Sequence, residues 1–362
     1  MGRQYRVLDQ VMMSLGDKEA TYDAGPAAWT AGAAIQPYEF GEAYAAWDDQ
    51  IVTDRETVHG SQFATLDEII RQDVRLVYPE PRVRPANLAG LAALAGGVLA
   101  VVQDAALVAY RHKATPVAAD VALPSIGVIE KSSGEQYKYT GVKLDRFSLK
   151  RGGPNNGYFA AEAALIGSGT RASDATAFPA KITESPLRWG DAKCWLETGA
   201  NITIDAAPTQ GLENISSATP DVLTSRLVDF EFSHENDSQA EDGYLPGGGK
   251  VRGRLDHGPN RRAHVRLVVE VDPTTLATER GYYDNRDNVA IEVDVDSGVI
   301  IASTGAYKYG FDLIIPRMRL EPIKREVRAG VAVLTFEGDC FDDGTNPLWQ
   351  FYTYNSYVAY LA

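Results

Sequence analysis

The sequence predicts a mainly β protein of two tandem β-sandwich or barrel modules, each flanked by one short α-helix. Three observations predict it. First, an ordered set of short identities occurs twice. Val74-Arg75-Leu76-Val77 precedes Pro85-Ala86-Asn87-Leu88-Ala89, then Tyr137-Lys138-Tyr139, a strand from Leu144 to Leu149, and Gly157 to Gly167. Val265-Arg266-Leu267-Val268 likewise precedes Pro273-Thr274-Thr275-Leu276-Ala277, Tyr307-Lys308-Tyr309, a strand from Phe311 to Leu320, and Gly330 to Gly338. Conserved order of this kind marks one structural unit used twice. Second, many segments alternate apolar with polar residues, the period of a half-buried strand. Third, Gly, Pro, Asn and Ser clusters punctuate the chain at hairpin spacing.

In order along the chain, residues 1–40 are interrupted by Ala, Gly and Pro and read as an extended N-terminal arm. The first module then spans 41–170. Within it, strand-like stretches surround a polar loop, and Leu66 to Gln72 reads as a short helical segment. Val74 to Arg84 alternates as a strand, and Pro79 and Pro81 make it an edge or a bent one. A helix starts at Pro85, a residue favoured at the first helical position, and stops at Gly96-Gly97. Leu107 to Lys113, Ile126 to Lys131, Gln136 to Leu149 and Gly157 to Ile166 read as strands.

Residues 171–186 are small and polar, the best candidate for a linker, and the second module spans 187–348. Its strands are expected at Lys193–Glu197, Asn201–Asp205, Arg226–Ser233, Val251–Asp256, His264–Val271, Val289–Val295, Val299–Thr304, Ala306–Arg319 and Val331–Glu337. A helix is expected over Pro273–Tyr283. Glu235 to Gly249 is acidic and Gly-rich and reads as a long exposed hairpin loop. Residues 349–362 alternate Tyr and Phe with small residues and read as a C-terminal strand or arm.

Composition narrows the function. Hydrophobic residues make up 44% and charged ones 23% of 362 residues, as in an ordinary globular chain. No apolar run approaches the roughly 20 residues that span a bilayer, and the opening residues lack the apolar core of a signal peptide. A formal net charge of -14 argues against a nucleic-acid grip built on phosphate neutralisation. Cys194 and Cys340 have no CxxC partner and read as reduced thiols, consistent with synthesis in a reducing cytoplasm.

No motif supplies chemistry. Gly247-Gly248-Gly249-Lys250 fails as a phosphate loop, because Val251 stands where Ser or Thr is needed and Tyr244 where the first Gly is needed. Asp294-Val295-Asp296-Ser297-Gly298 lacks the rest of a calcium loop and reads as a hairpin turn. His59, His112, His234, His257 and His264 form no zinc spacing, and no GxSxG elbow occurs. No cofactor, metal or catalytic residue is expected.

A resemblance adds to this. Leu123-Pro124-Ser125-Ile126, then Gly134 to Lys150 with its Tyr139-Thr140-Gly141 turn, a Gly-rich turn and Gly157 to Gly167, resembles the tail tube proteins of long-tailed phages. Residues 74–88, Ser225 to Asp237 and Arg252 to Arg254 fit the same pattern, so the resemblance covers roughly residues 50–340. It implies β-sandwich or barrel modules stacked as rings around a DNA conduit. Two modules per chain imply a trimer with pseudo-sixfold symmetry. The implied partners are further copies of the chain, a tape measure protein and DNA in the lumen, and tail terminator and tail-tip proteins, with the virion as location. Inter-ring contacts are expected from Glu235, Asp237, Glu241, Asp242 and Tyr244, from Trp47, Asp48 and Asp49 in the matching segment Trp47–Ser61, and from the N-terminal arm and Tyr352–Leu361. The lumen is expected to carry more Asp and Glu than Lys and Arg. The rival reading is a β-sandwich glycan-binding or glycan-processing virion protein, with Trp47, Trp189, Trp195 and Trp349 stacking on sugars.

Overall fold

The computed structural model describes residues 4–7, 10–27, 44–54, 66–118, 120–132, 134–152, 157–180, 183–198, 202–205, 208–216, 221–239, 241–246, 250–303, 305–342 and 344–361. The first half runs β1 (Gln4–Val7), β2 (Gln10–Met13), β3 (Tyr44–Asp54), β4 (Leu66–Glu80), α1 (Pro85–Gly96), β5 (Gly97–Gln103), β6 (Tyr110–Pro116), β7 (Ile126–Ser132), β8 (Glu135–Arg151) and β9 (Phe159–Gly167). Next come β10 (Arg171–Ser173), β11 (Ala192–Thr198), β12 (Thr203–Ile204), β13 (Ile215–Ser216), β14 (Asp221–Val222), β15 (Leu227–Glu235) and β16 (Arg262–Glu270). The chain ends with α2 (Leu276–Asp284), β17 (Val289–Ile300), β18 (Lys308–Leu320), β19 (Lys324–Arg328), β20 (Val331–Cys340) and β21 (Gln350–Asn355). The protein is mainly β, and every strand pairing is antiparallel.

One layer reads β3-β4-β9-β8 and continues directly into β15-β16-β20-β19. A second reads β11-β17-β18-β21-β6-β5. The two are stitched by β18, whose last residues leave the second layer to pair with β20 in the first. Strand β8 is shared too, its first part pairing with β7 and β10 and its last part with β9 and β15.

The repeat is real at the level of ladder register. Val74 lies opposite Gly167 on one side and Trp47 on the other. Val265 lies opposite Gly338 and Phe232 in the same way. These pairs make β3-β4-β9-β8 and β15-β16-β20-β19 the same four-strand unit. Pro79 falls just past the last β3–β4 pair, Val77 with Tyr44, where its missing N–H is tolerated. The Tyr-Lys-Tyr triplets do not correspond. Lys143 and Glu321 occupy matching positions, each one pair before the terminal Gly, yet Tyr139 is close to Lys143 while Tyr309 lies a long hairpin arm away from Glu321.

The helices match in order but not in role. α1 carries Pro85 in its first turn, is buried at every residue, and is stopped by Gly97 at a φ of 83°. It packs beneath β21, β6 and β8, which is why its sequence has no polar face. α2 lies on the surface with only Glu279 buried, and that carboxylate accepts a bond from Arg226 Nη1 at 2.7 Å.

Several expectations are corrected. Leu66 to Gln72 is strand, the first half of β4, because pairing with β3 overrides local helical character. The chain after α1 goes straight into β5, a strand absent from the expected set. Residues 10–27 are no free arm: β2 pairs with β7, and Val11, Met12, Met13 and Leu15 are fully buried. Glu19 ties this segment down by accepting from Ser125 Oγ at 2.7 Å and from Gly141 N at 2.9 Å. Val251 to Asp256 is irregular, and Asp296 to Gly298 sits at a register shift within β17, not at the hairpin tip. The C-terminus is central: β21 fills the slot between β18 and β6, and Tyr352, Tyr354 and Tyr360 are buried. No helix among the described residues is long and apolar enough to cross a membrane.

Candidate assembly interface

The two units meet through β8 and β15. Arg146, Phe147, Ser148, Leu149 and Lys150 lie opposite Glu235, His234, Ser233, Phe232 and Glu231. Alternation sends Phe147, Leu149, Phe232 and His234 into the core and leaves the others on the outer face. On that face charge alternates by strand. β8 presents Arg146 and Lys150, β15 presents Asp229, Glu231 and Glu235, β16 presents Arg262 and Arg266, and β20 presents Glu337 and Asp339. The strands are knitted by Arg146–Glu162 at 3.0 Å, Arg262–Asp339 at 3.2 Å and Arg266–Asp229 at 3.3 Å. β19 adds Lys324, paired with Glu337, and Arg328 beside Glu326. Opposite charges on neighbouring strands favour this order of strands over shifted ones.

The eight-strand layer ends on two edges. β19 has β20 on one side and no second strand among the described residues, and four of its five residues are exposed, Val327 at 72%. At the other end β3 pairs with β4 along its length and, among the described residues, with β1 at Tyr44 to Trp47. Short edges rich in Lys and Arg, such as β19, are a common defence against uncontrolled pairing.

The residues expected at inter-ring contacts fall in different places. Trp47, Asp48 and Asp49 are not in a loop; their backbone lies in β3 opposite Val74, Asp73 and Gln72, and residues 55–61 are outside the described residues. Glu235 ends β15 and is exposed. The segment after it is not a free exposed loop, because it folds back on the first half. Asn236 N donates to Asp145 O at 2.8 Å and Ser238 N to Asp145 Oδ1 at 3.2 Å, while Gly258 N donates to Asp237 O at 2.6 Å and closes the segment on itself. Glu241 and Asp242 lie in a short helical turn, with Asp242 exposed, and Gly247 to Gly249 are outside the described residues. Tyr244 Oη donates to Gln72 O at 2.7 Å and lies under the Arg252 guanidinium, 5.0 Å from ring centre.

Arg252 is the anchor, a role the sequence reading, which placed Arg252 to Arg254 in the matching pattern, did not assign it. Fully buried, it donates through Nη1 to Gly167 O at 2.7 Å and through Nη2 to Asp73 Oδ1 at 2.6 Å. It stands between Val251 and Gly253 with Lys250 and Arg254 beyond, a neighbourhood that gives no sign of burial, so only the long-range fold marks it. Arg252→Ala is expected to cost towards the lower end of about 3–5 kcal/mol, since Asp73 keeps partial access to water. Limited proteolysis should then cut within 237–261 first; unchanged stability and cleavage would show the anchor idle.

Buried ionisable groups lie behind the sheets rather than on a cleft. Burial pushes Glu80 up to about 8 and Glu184 up to about 7. Glu184 accepts from Ala86 N at 2.9 Å and so caps α1, while Glu80 accepts from Asn87 Nδ2 at 3.0 Å. Asn214 Nδ2 donates to Glu292 Oε1 at 2.7 Å, beside Asp294 and Asp312. Burial raises Asp294 to about 7 and also raises Glu292 and Asp312, the last helped by the two neighbouring acids. Burial lowers His112 and His234 to about 4, and His234 Nδ1 accepts from the Trp349 indole at 3.2 Å. Each group is held by helix, strand or core contacts. Among the described residues no cluster of three or more His, Cys, Asp or Glu is arranged for a metal.

Trp195 and Trp349 are buried, and Trp189 packs half-buried against Phe159 at 5.2 Å, so none of these three offers an open face to a sugar. No family model and no curated protein matches this sequence.

Proposed function

We propose that the chain is the structural subunit of a tube, the tail tube of a long-tailed phage virion, with three chains completing each ring. One observation carries this reading: two equivalent four-strand units sit edge to edge within a single chain, joined by β8 and β15, and leave β19 and the outer rim of β3 as the matching ends. A strand order that already repeats once can repeat again between copies, and closing the ring removes both edges. Three double units give six equivalent positions around the axis.

The exposed sheet face suits a conduit. Its acidic and basic strands neutralise one another, so a polyanion passing over it meets paired charges rather than a basic track. If that face lines the lumen, the lining is near neutral and the expected excess of Asp and Glu over Lys and Arg is small. DNA and a tape measure protein would then pass without specific binding, and terminator and tip proteins would close the tube ends.

Negative-stain microscopy of the purified protein tests the reading. Six-lobed rings or tubes, with three chains per layer by mass, are expected. Dispersed single particles at every concentration would overturn it, and twelve lobes would keep the tube but break the trimer.

A further inference from the structure

Register fixes how the two ends would meet. Gly167 matches Gly338 and Trp47 matches Phe232, so the β8–β15 pairing can be transferred position by position to β19 and β3. Arg146 corresponds to Lys324 through their partners Ala164 and Thr335. The transfer sets Lys324, Arg325, Glu326, Val327 and Arg328 opposite Gln50, Asp49, Asp48, Trp47 and Ala46 of a second copy. In this register Arg325 meets Asp49 and Val327 meets Trp47, while Glu326 meets Asp48, so it carries one opposite-charge pair, one apolar pair and one like-charge pair.

Among the described residues, two of those five positions are already taken. β1 pairs Gln4 with Trp47 and Tyr5 with Ala46, on the side of β3 away from β4. We propose that β1 is a plug on the β3 edge, which β19 of a second copy displaces in this register when the ring closes. The inference rests on the ring reading and adds its control step. An uncovered edge would template indiscriminate pairing, and the four described residues of β1 cover it at Tyr44 to Trp47. Displacement exchanges one antiparallel ladder for another, so the cost of removing β1 is offset by the longer run that β19 supplies.

Two cysteine pairs test it, because both native cysteines are buried and free. Directly opposed antiparallel residues lie about 4.5–5.5 Å apart at Cα, inside the roughly 4.4–6.8 Å range of disulfides. Tyr5→Cys with Ala46→Cys should lock β1 within one chain. The oxidised variant is expected to need at least about tenfold more protein than its reduced form to assemble, since a locked strand cannot be exchanged. Ala46→Cys with Arg328→Cys should instead link neighbours, giving a covalent trimer on non-reducing gels after oxidation of assembled material. Equal assembly of locked and reduced Tyr5→Cys/Ala46→Cys chains would overturn the plug, as would rings in which Ala46→Cys/Arg328→Cys fails to link. Wild-type rings in either of those cases would leave the tube reading standing; no rings from any chain, wild type included, would sink the tube reading itself.

Discussion

Replacing Phe311 with Ala is expected to cost about 3–5 kcal/mol, the range for truncating a buried aromatic. The side chain is fully buried and touches both halves of the molecule. It stacks on Phe351 from the C-terminal strand at 5.5 Å and meets Phe159 of the first half edge-on at 5.2 Å. Phe159 in turn meets Phe230 at 6.3 Å, and Phe147 meets Phe232 at 6.2 Å across the β8–β15 junction. One hydrophobic cluster therefore runs from Val11 to Leu361. If it couples the halves, Phe311→Ala lowers the denaturant midpoint of a single transition, seen alike by fluorescence and circular dichroism. Two separated transitions, with only the later-sequence half affected, would show that the units unfold independently.

That shared core explains which parts of the fold were legible in the sequence. α1 was readable to its last residue because Pro85 and Gly97 mark its ends locally. β7, β8, β9, β16 and β20 were readable from alternation and from the glycines that close the repeat. β2 was not, because Gln10–Met13 owes its burial to β7, more than a hundred residues later. Leu66 to Gln72 went astray for the same reason: its local pattern admits a helix, and only the ladder with β3 decides otherwise. The segment 236–261 was misread because polar, Gly-rich sequence signals a loop correctly but says nothing of where the loop lies. Arg252 and Tyr244 pin it to β4 and β9, contacts that no short-range pattern contains. The candidate interface was half visible. Order of elements revealed two units, whereas the edges they leave, β19 and the rim of β3, emerged only from the register.

Stability is expected to fall as pH rises from about 6.5 to 8, an unusual direction for an acidic protein. The sign follows from the protons held by the folded chain. Burial raises Glu80 from 4.5 to about 8, Glu184 from 4.5 to about 7 and Asp294 from 3.8 to about 7. Above the ordinary carboxylate range the unfolded chain has released these protons while the folded chain still holds them, so unfolding becomes easier with each step in pH. His112 and His234, lowered from 6.5 to about 4, act oppositely, adding stability as pH rises between about 4 and 6.5. At pH 6.5 the unfolded histidines are still about half protonated, so their opposing contribution fades over roughly the next pH unit; three raised carboxylates, Glu80 with its value near 8, outweigh this remainder and set the direction. Lys143, whose amine burial lowers, would oppose them at higher pH, so the comparison stops at pH 8. Urea midpoints at pH 6.5 and 8 should drop in the wild type and drop less in Glu80→Gln, whose amide cannot ionise yet still offers Asn87 an acceptor. A midpoint that holds or rises over that interval would mean these acids are ionised in the fold, and the burial argument for them would fail. The same slope bears on assembly. Subunits that loosen above neutral pH would disassemble there even with their edges intact, so ring yield is best compared with stability at the same pH before any loss is assigned to the edges.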